Sequence, residues 1–288
     1  MQTKKGRNSL LTLLIFLVIL GFNFYRDRQS GSNHSNNDSR TSQVTKQAQE
    51  ADQGKTITDS GKSGEKPYDQ KTYDELAQLD FKSGDYAVKT VNHNQSTVNL
   101  SEWQTSHAVY GNLDQLNRTT FVTAYIDKSN LGKSEGRDPQ RWQPTGWHQK
   151  FIDGQPIYNR GHLLAYTSSF NLDMDGNFKR GEQGSIDNPK NLGTQSAFSN
   201  QQVQTTFETD VRNAQKLNGN KVIYQIVTVF RGAEKMPRGY WLQAKDSKDT
   251  LNFNVYEFNV QPGVQFDYTT GASKVDRGLK VKWNNQTY

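Results

Sequence analysis

His162 sits in the run Tyr158-Asn159-Arg160-Gly161-His162-Leu163-Leu164. An arginine two positions ahead of a histidine projects to the same face of an extended segment, because strand side chains alternate with a period of two. One face would then offer a guanidinium suited to phosphate and an imidazole suited to proton transfer. The other histidines, His34, His93, His107 and His148, have no comparable partner close in sequence. Read alone, the tetrad fits an ordinary surface or core histidine better than a reactive one.

A second group lies downstream. Asn188-Pro189-Lys190-Asn191-Leu192-Gly193-Thr194-Gln195 precedes Asn200-Gln201, and Glu208 and Arg212 follow on a segment with helical periodicity. Glu208 and Arg212 are four apart and share a helix face. Asn200, eight before Glu208, would lie ~80° away around the axis at ~100° per residue, and so could face the same cleft. On spacing alone, a capping asparagine and an exposed ion pair explain these residues better.

Taken together, the Asn159–His162 tetrad, the paired asparagines Asn191 and Asn200, and the spacing from Asn200 to Glu208 to Arg212 resemble the DNA/RNA non-specific endonuclease family. These are the ββα-metal, or His-Me finger, nucleases, and the likeness is strongest to their streptococcal membrane-anchored and secreted members. The likeness covers most of Gly111 to Tyr240. It implies an α+β fold with a central mixed or antiparallel sheet flanked by helices. It also implies His162 as general base, with Asn200 as the single protein ligand of a divalent metal. Glu208 would position water at that metal, Arg160 and Arg212 would hold the substrate phosphate, and Asn191 would support substrate binding. Mg2+ is the implied cofactor, with Mn2+ a plausible substitute.

The resemblance further implies a metal-dependent endonuclease that cuts DNA, or RNA as well, without reading sequence and leaves 5′-phosphates. A neutral imidazole with a pKa near ~6.5 can take a proton from water at neutral pH. Asparagine oxygen plus waters suits Mg2+, which keeps most of its hydration. Binding led by the phosphate backbone would be sensitive to salt. One departure stands out: the family tetrad usually opens with aspartate, and Asn159 removes that charge while touching none of the matched catalytic atoms.

The elements that must hold these residues are legible in outline. Thr120 to Ile126 is strand-like, and Lys221 to Phe230, rich in β-branched and aromatic residues, reads as a central strand buried on both faces. Leu251, Phe253, Val255 and then Glu257 alternate with Asn252, Asn254, Tyr256 and Phe258 in a further strand, and a shorter one runs from Val264 to Tyr268. A helix is expected over about Gln201 to Leu217, with Phe207, Val211 and Ala214 as its apolar stripe and Asn218-Gly219 as its stop. Lys128, Lys133, Arg137 and Arg141 form a basic loop ahead of the tetrad; it could touch nucleic-acid backbone or simply be solvated.

Composition frames the whole. The 288 residues include 32% apolar residues and carry a net charge of +6, and the mean hydropathy of −0.91 is low for a chain folded throughout. The absence of cysteine excludes disulfides, thiolate zinc sites and cysteine nucleophiles. Lys4, Lys5 and Arg7 precede an apolar run from Leu10 to Tyr25 with no small-residue cleavage pattern. Residues 1–25 therefore read as an uncleaved signal-anchor in preference to a cleaved signal, with the N-terminus inside and the remainder outside the cell membrane. Residues 26–66 read as a polar tether and 67–288 as the nuclease domain. If the signal is cleaved, the protein is secreted. Two other readings remain open: a catalytically silent nucleic-acid receptor at the cell surface, and a hydrolase of another surface polymer. The second would want a flanking pair of carboxylates, and none is coupled to the His162 motif.

Overall fold

The computed structural model describes residues 66–284. The expected anchor and nearly all of the expected tether lie outside the described residues, among which no helix is long and apolar enough to cross a membrane. The chain opens with helix α1 (Gln70–Ala77), then strands β1 (Val88–Thr90), β2 (His107–Tyr110) and β3 (Phe121–Ile126). Two short strands, β4 (Phe151–Ile152) and β5 (Gln155–Pro156), lead to β6 (Tyr158–His162), β7 (Leu192–Ser196) and helix α2 (Thr205–Lys216). The remainder is β8 (Val222–Val229), β9 (Gly239–Asp246), β10 (Asn252–Phe258), β11 (Val264–Asp267) and β12 (Ala272–Val275).

Six strands form one sheet in the order β1-β10-β9-β8-β3-β2. Every neighbouring pair is antiparallel, which resolves the expected mixed or antiparallel sheet to the second. β8 is central and buried along its whole length, as its composition requires. One face of the sheet carries Val122, Ile226, Leu242 and Val255 against Phe207, Val211 and Ala214 of α2. The other carries Val229, Trp241 and Tyr256 against Leu76 and Ala77 of α1. Burying a side chain such as Phe207, whose ring sits 5.1 Å from that of Phe253, stabilises the fold by about 1.5–3 kcal/mol.

β10 differs from a strand with one wet face: Phe253 through Phe258 are all buried, because both faces of the sheet are covered. Its alternation thus separates two cores, and Glu257 falls on the α2 side, in phase with Phe253 and Val255.

The helix also starts differently from expectation. Ser199–Gln204 is a wide π-type turn, and regular α-helix begins at Thr205. Such turns often occur at functional sites, and the uniform ~100° advance per residue does not hold through this one. The stop falls where expected. Gly219 takes φ +69°, a left-handed conformation that suits glycine, and the Asn220 amide donates to Ala214 O at 2.9 Å to close the helix end.

Candidate active site

β6 and β7 pair antiparallel, with Asn159 opposite Gln195 and Gly161 opposite Gly193. The chain then passes through the π-type turn into α2, giving a strand, strand, helix unit that holds every expected site residue. Polar contacts fasten this unit to the large sheet: Asn259 Nδ2 and Tyr240 Oη donate to Thr194 O at 3.0 and 3.1 Å.

His162, at the end of β6, is half-buried, and its Nε2 lies 3.0 Å from the carbonyl oxygen of Ile186. A carbonyl only accepts, so Nε2 carries the proton and Nδ1 keeps the lone pair. Burial pushes the imidazole pKa down to about 4. The carbonyls of Ile186 and Ser185 oppose that shift, and the positive charge of Arg137 adds to it. The ring is therefore neutral at pH 7.

Glu208 lies on the first turn of α2, where an acidic group suits the positive end of the helix dipole. Its Oε1 accepts from Gln204 Nε2 at 3.0 Å, and Arg212 Nη1 stands 3.6 Å from Oε2. The side chains are only 14% and 24% exposed, so this is no solvated surface pair. Burial raises the Glu208 pKa, while Gln204 and Arg212 pull it back.

Asn200, within the π-type turn, is held at both ends of its amide. Nδ2 donates to Gln195 Oε1 at 3.0 Å, and Oδ1 accepts from Asn159 Nδ2 at 3.0 Å. Arg160 lies over Trp147, with the guanidinium carbon 4.7 Å from the ring centre. Its Nε is buried and has no hydrogen-bond partner among the described residues.

These parts reproduce the outline of a known group. The family model for DNA/RNA non-specific endonucleases matches residues 95–248. The chain belongs to that family.

Among solved structures, NucA from Streptococcus agalactiae with magnesium ion bound is 28% identical, with a TM-score of 0.57 over 66% of this chain and 87% of that one. The same nuclease with no metal bound is 25% identical and has a TM-score of 0.57, covering 71% and 95%. The chain is accordingly a non-specific endonuclease with the ββα-metal fold, and nucleic acid is its substrate class.

Within this family site, two expectations need correction. Asn191, expected to support substrate binding, is wholly buried. Its amide is engaged by Leu164 N at 2.8 Å and Leu164 O at 3.0 Å, so it clasps the chain just behind His162 and reaches no phosphate. Asn159 does touch a matched atom, since it donates directly to the oxygen of Asn200.

The basic loop divides. Lys128 turns away to Asn218 at 2.8 Å, whereas Arg137 stacks over Tyr166 at 4.6 Å and lies close enough to feel Glu208 and Arg212. Gln195, Gln204 and Trp147 had no functional signal of their own in the sequence. Glu257 had one: a charged residue in phase with Leu251, Phe253 and Val255.

Proposed function

We propose that this endonuclease hydrolyses the phosphodiester backbone of DNA, with RNA as a second substrate, using His162 as general base. The observation that carries the reading is the His162 ring. It is neutral, its tautomer is fixed by Ile186 O, and it feels the charges of Arg137 and Asp187, Arg137 in turn lying near Arg212 and the buried carboxyl of Glu208.

Nδ1 of His162 accepts a proton from the attacking water as its oxygen bonds to phosphorus and the P–O3′ bond breaks. The departing 3′ oxygen takes a proton from solvent, and the imidazolium returns its own to solvent. Arg160, Arg212 and Arg137 bind phosphate oxygens and stabilise the charge that grows on them. The buried, unpartnered Nε of Arg160 supports its part in this, because a desolvated guanidinium donor gains most from an anion. Glu208 orients water within the cleft. The arginines are assigned to phosphate oxygens, so cutting is led by the backbone and salt-sensitive.

The residues fit a hard divalent ion. Asn200 Oδ1 offers an oxygen held in place through the other end of its amide, and Mg2+ or Mn2+ keeps several waters and so needs few protein ligands. Among the described residues there is no cluster of three or more His, Cys, Asp or Glu side chains that could form a metal cage, and a site of one asparagine oxygen completed by waters needs none. Held there, the ion would supply charge neutralisation on the phosphate and the departing oxygen. The basic residues and apolar run at the N-terminus support action outside the cytoplasmic membrane, on a signal-anchor or after secretion.

The test incubates the purified full-length protein with supercoiled plasmid and with RNA, in Mg2+ and in EDTA. His162→Ala and Asn200→Ala run beside the wild type. Metal-dependent nicking that both substitutions abolish supports the reading. Tight binding by the wild type without cleavage would instead favour a receptor.

A further inference from the structure

Glu257 is a fully buried acid on the face of the large sheet that underlies the active-site unit. Its Oε1 accepts from Gln195 Nε2 at 3.2 Å and from the Ser199 hydroxyl. Its Oε2 has no partner, and no cation pairs with it, among the described residues. An isolated charge is strongly disfavoured in such a place. Burial, reinforced by the nearby Glu208, accordingly raises its pKa well above the usual carboxyl range.

The consequence lies in the sense of a chain of amides. A primary amide donates only from its nitrogen and accepts only at its oxygen. Gln195 Nε2 faces three acceptors: Glu257 Oε1, Ser199 Oγ at 3.0 Å and Gln204 Oε1 at 2.9 Å. Reversing the Gln195 amide would set oxygen against the oxygens of Glu257 and Gln204, and nitrogen against Asn200 Nδ2. In the observed sense, Gln195 Oε1 takes Asn200 Nδ2 and leaves Asn200 Oδ1 to accept from Asn159 Nδ2, with a second lone pair to spare. Gln204, anchored at its oxygen, turns its nitrogen to His162 O at 2.7 Å and Glu208 Oε1 at 3.0 Å.

We propose that Glu257 is a positioning residue for metal binding: it fixes Gln195, and through Gln195 it determines which end of Asn200 meets the ion. This rests on the reading of Asn200 as the metal-binding residue. Gly161 belongs to the same arrangement, since a side chain there would occupy the space of the Gln195 amide.

The experiment measures Mn2+ binding by the free-ion EPR signal, on full-length wild type, Glu257→Leu, Glu257→Gln and Asn200→Ala, at a temperature where circular dichroism shows each native. Glu257→Leu, which removes the acceptor, should weaken Mn2+ binding by about tenfold or more, the usual effect of losing a group that orients a metal ligand. Its nicking rate should climb back as Mn2+ is raised. Glu257→Gln, neutral and able to accept, should recover most of the lost affinity, which a merely space-filling role would not require. A native Glu257→Leu protein with wild-type affinity overturns the proposal, as does a Glu257→Gln protein equally impaired. Should Glu257→Leu fail to fold, Ser199→Ala takes its place, and unchanged affinity there overturns it too. Asn200→Ala separates the two levels: loss of binding there with none in Glu257→Leu defeats only this inference. Retained binding in Asn200→Ala defeats the reading of the site, and this proposal with it.

Discussion

The side chain of Asn159 donates a hydrogen bond to Asn200 Oδ1 across 3.0 Å. That oxygen is the one proposed to meet the metal, and its two lone pairs allow one donor and one ion together. The first residue of the tetrad is thus a donor directed at a ligand atom, where an aspartate would present a second acceptor. Neighbouring oxygens in an octahedral Mg2+ shell of ~2.1 Å radius lie ~3.0 Å apart. A carboxylate at position 159 would therefore stand about where another ligand stands.

Asn159→Asp is accordingly expected to tighten divalent-ion binding by about tenfold or more, since a full negative charge is added within a few ångströms of the ion. Asn159→Ala should loosen it, because Asn200 Oδ1 loses its outer restraint. Isothermal titration with Mg2+ decides the matter. Unchanged or weaker binding by the aspartate variant would show that position 159 does not face the ion.

Gly161 serves the same cluster from the opposite side. A Cβ there would come within 2.9 Å of Gln195 Cβ and nearer still to its amide oxygen. Gly161→Ala should cost about 1–3 kcal/mol of stability, as overpacking does. Because the displaced group is the one that holds Asn200, cleavage should fall further than the change in melting temperature explains. Activity that merely follows the folded fraction would remove Gln195 from the argument.

How far the sequence anticipates this site depends on whether a residue acts in its own segment or through another. Lys221–Phe230 reveals a central strand because all its positions but Lys221 and Gln225 are β-branched or aromatic, and the stripe Phe207, Val211 and Ala214 reveals which face of α2 is buried. Asn200, Glu208 and Arg212 could be placed near one another from helical spacing, although the π-type turn alters the angle between them. Asn191 departs from the role its motif implies because a motif match says nothing of burial. Its side chain is consumed by the backbone of Leu164. Gln195 and Glu257 meet only once β7 packs onto β10, a contact between positions 62 apart that no local pattern encodes. The odd charge at Glu257 in an apolar register was the one visible trace.

The half-buried imidazole of His162 gives a pH signature with a definite sign. Its pKa falls from 6.5 to about 4 on folding, so between those values the unfolded chain binds the proton and the native protein does not. The histidine contributes no penalty at neutral pH, and native stability is lost as pH falls through that window, by about 3 kcal/mol at most. Glu208 and Glu257, with raised pKa values, act in the opposite sense, so the comparison must be differential. The melting temperature of wild type relative to His162→Gln should fall steadily from pH 6.5 to 4. A constant difference across that range would mean that the ring is solvated and protonates normally.

Arg160 and Trp147 separate charge from placement. The guanidinium rests on the indole at 4.7 Å with its Nε buried and unpartnered, as expected of a cation set aside for phosphate. In a His162→Ala background, which permits binding without cleavage, removing Arg160 should weaken DNA binding. It should also reduce the slope of log K against log salt by about 0.9, the amount associated with one phosphate contact on duplex DNA. Trp147→Ala keeps the charge but removes the surface that orients it. Affinity should then fall while the salt slope stays close to its original value. If Arg160→Ala leaves the slope unchanged, the arginine does not contact phosphate, and the stack on Trp147 is a packing feature of the β4–β6 region.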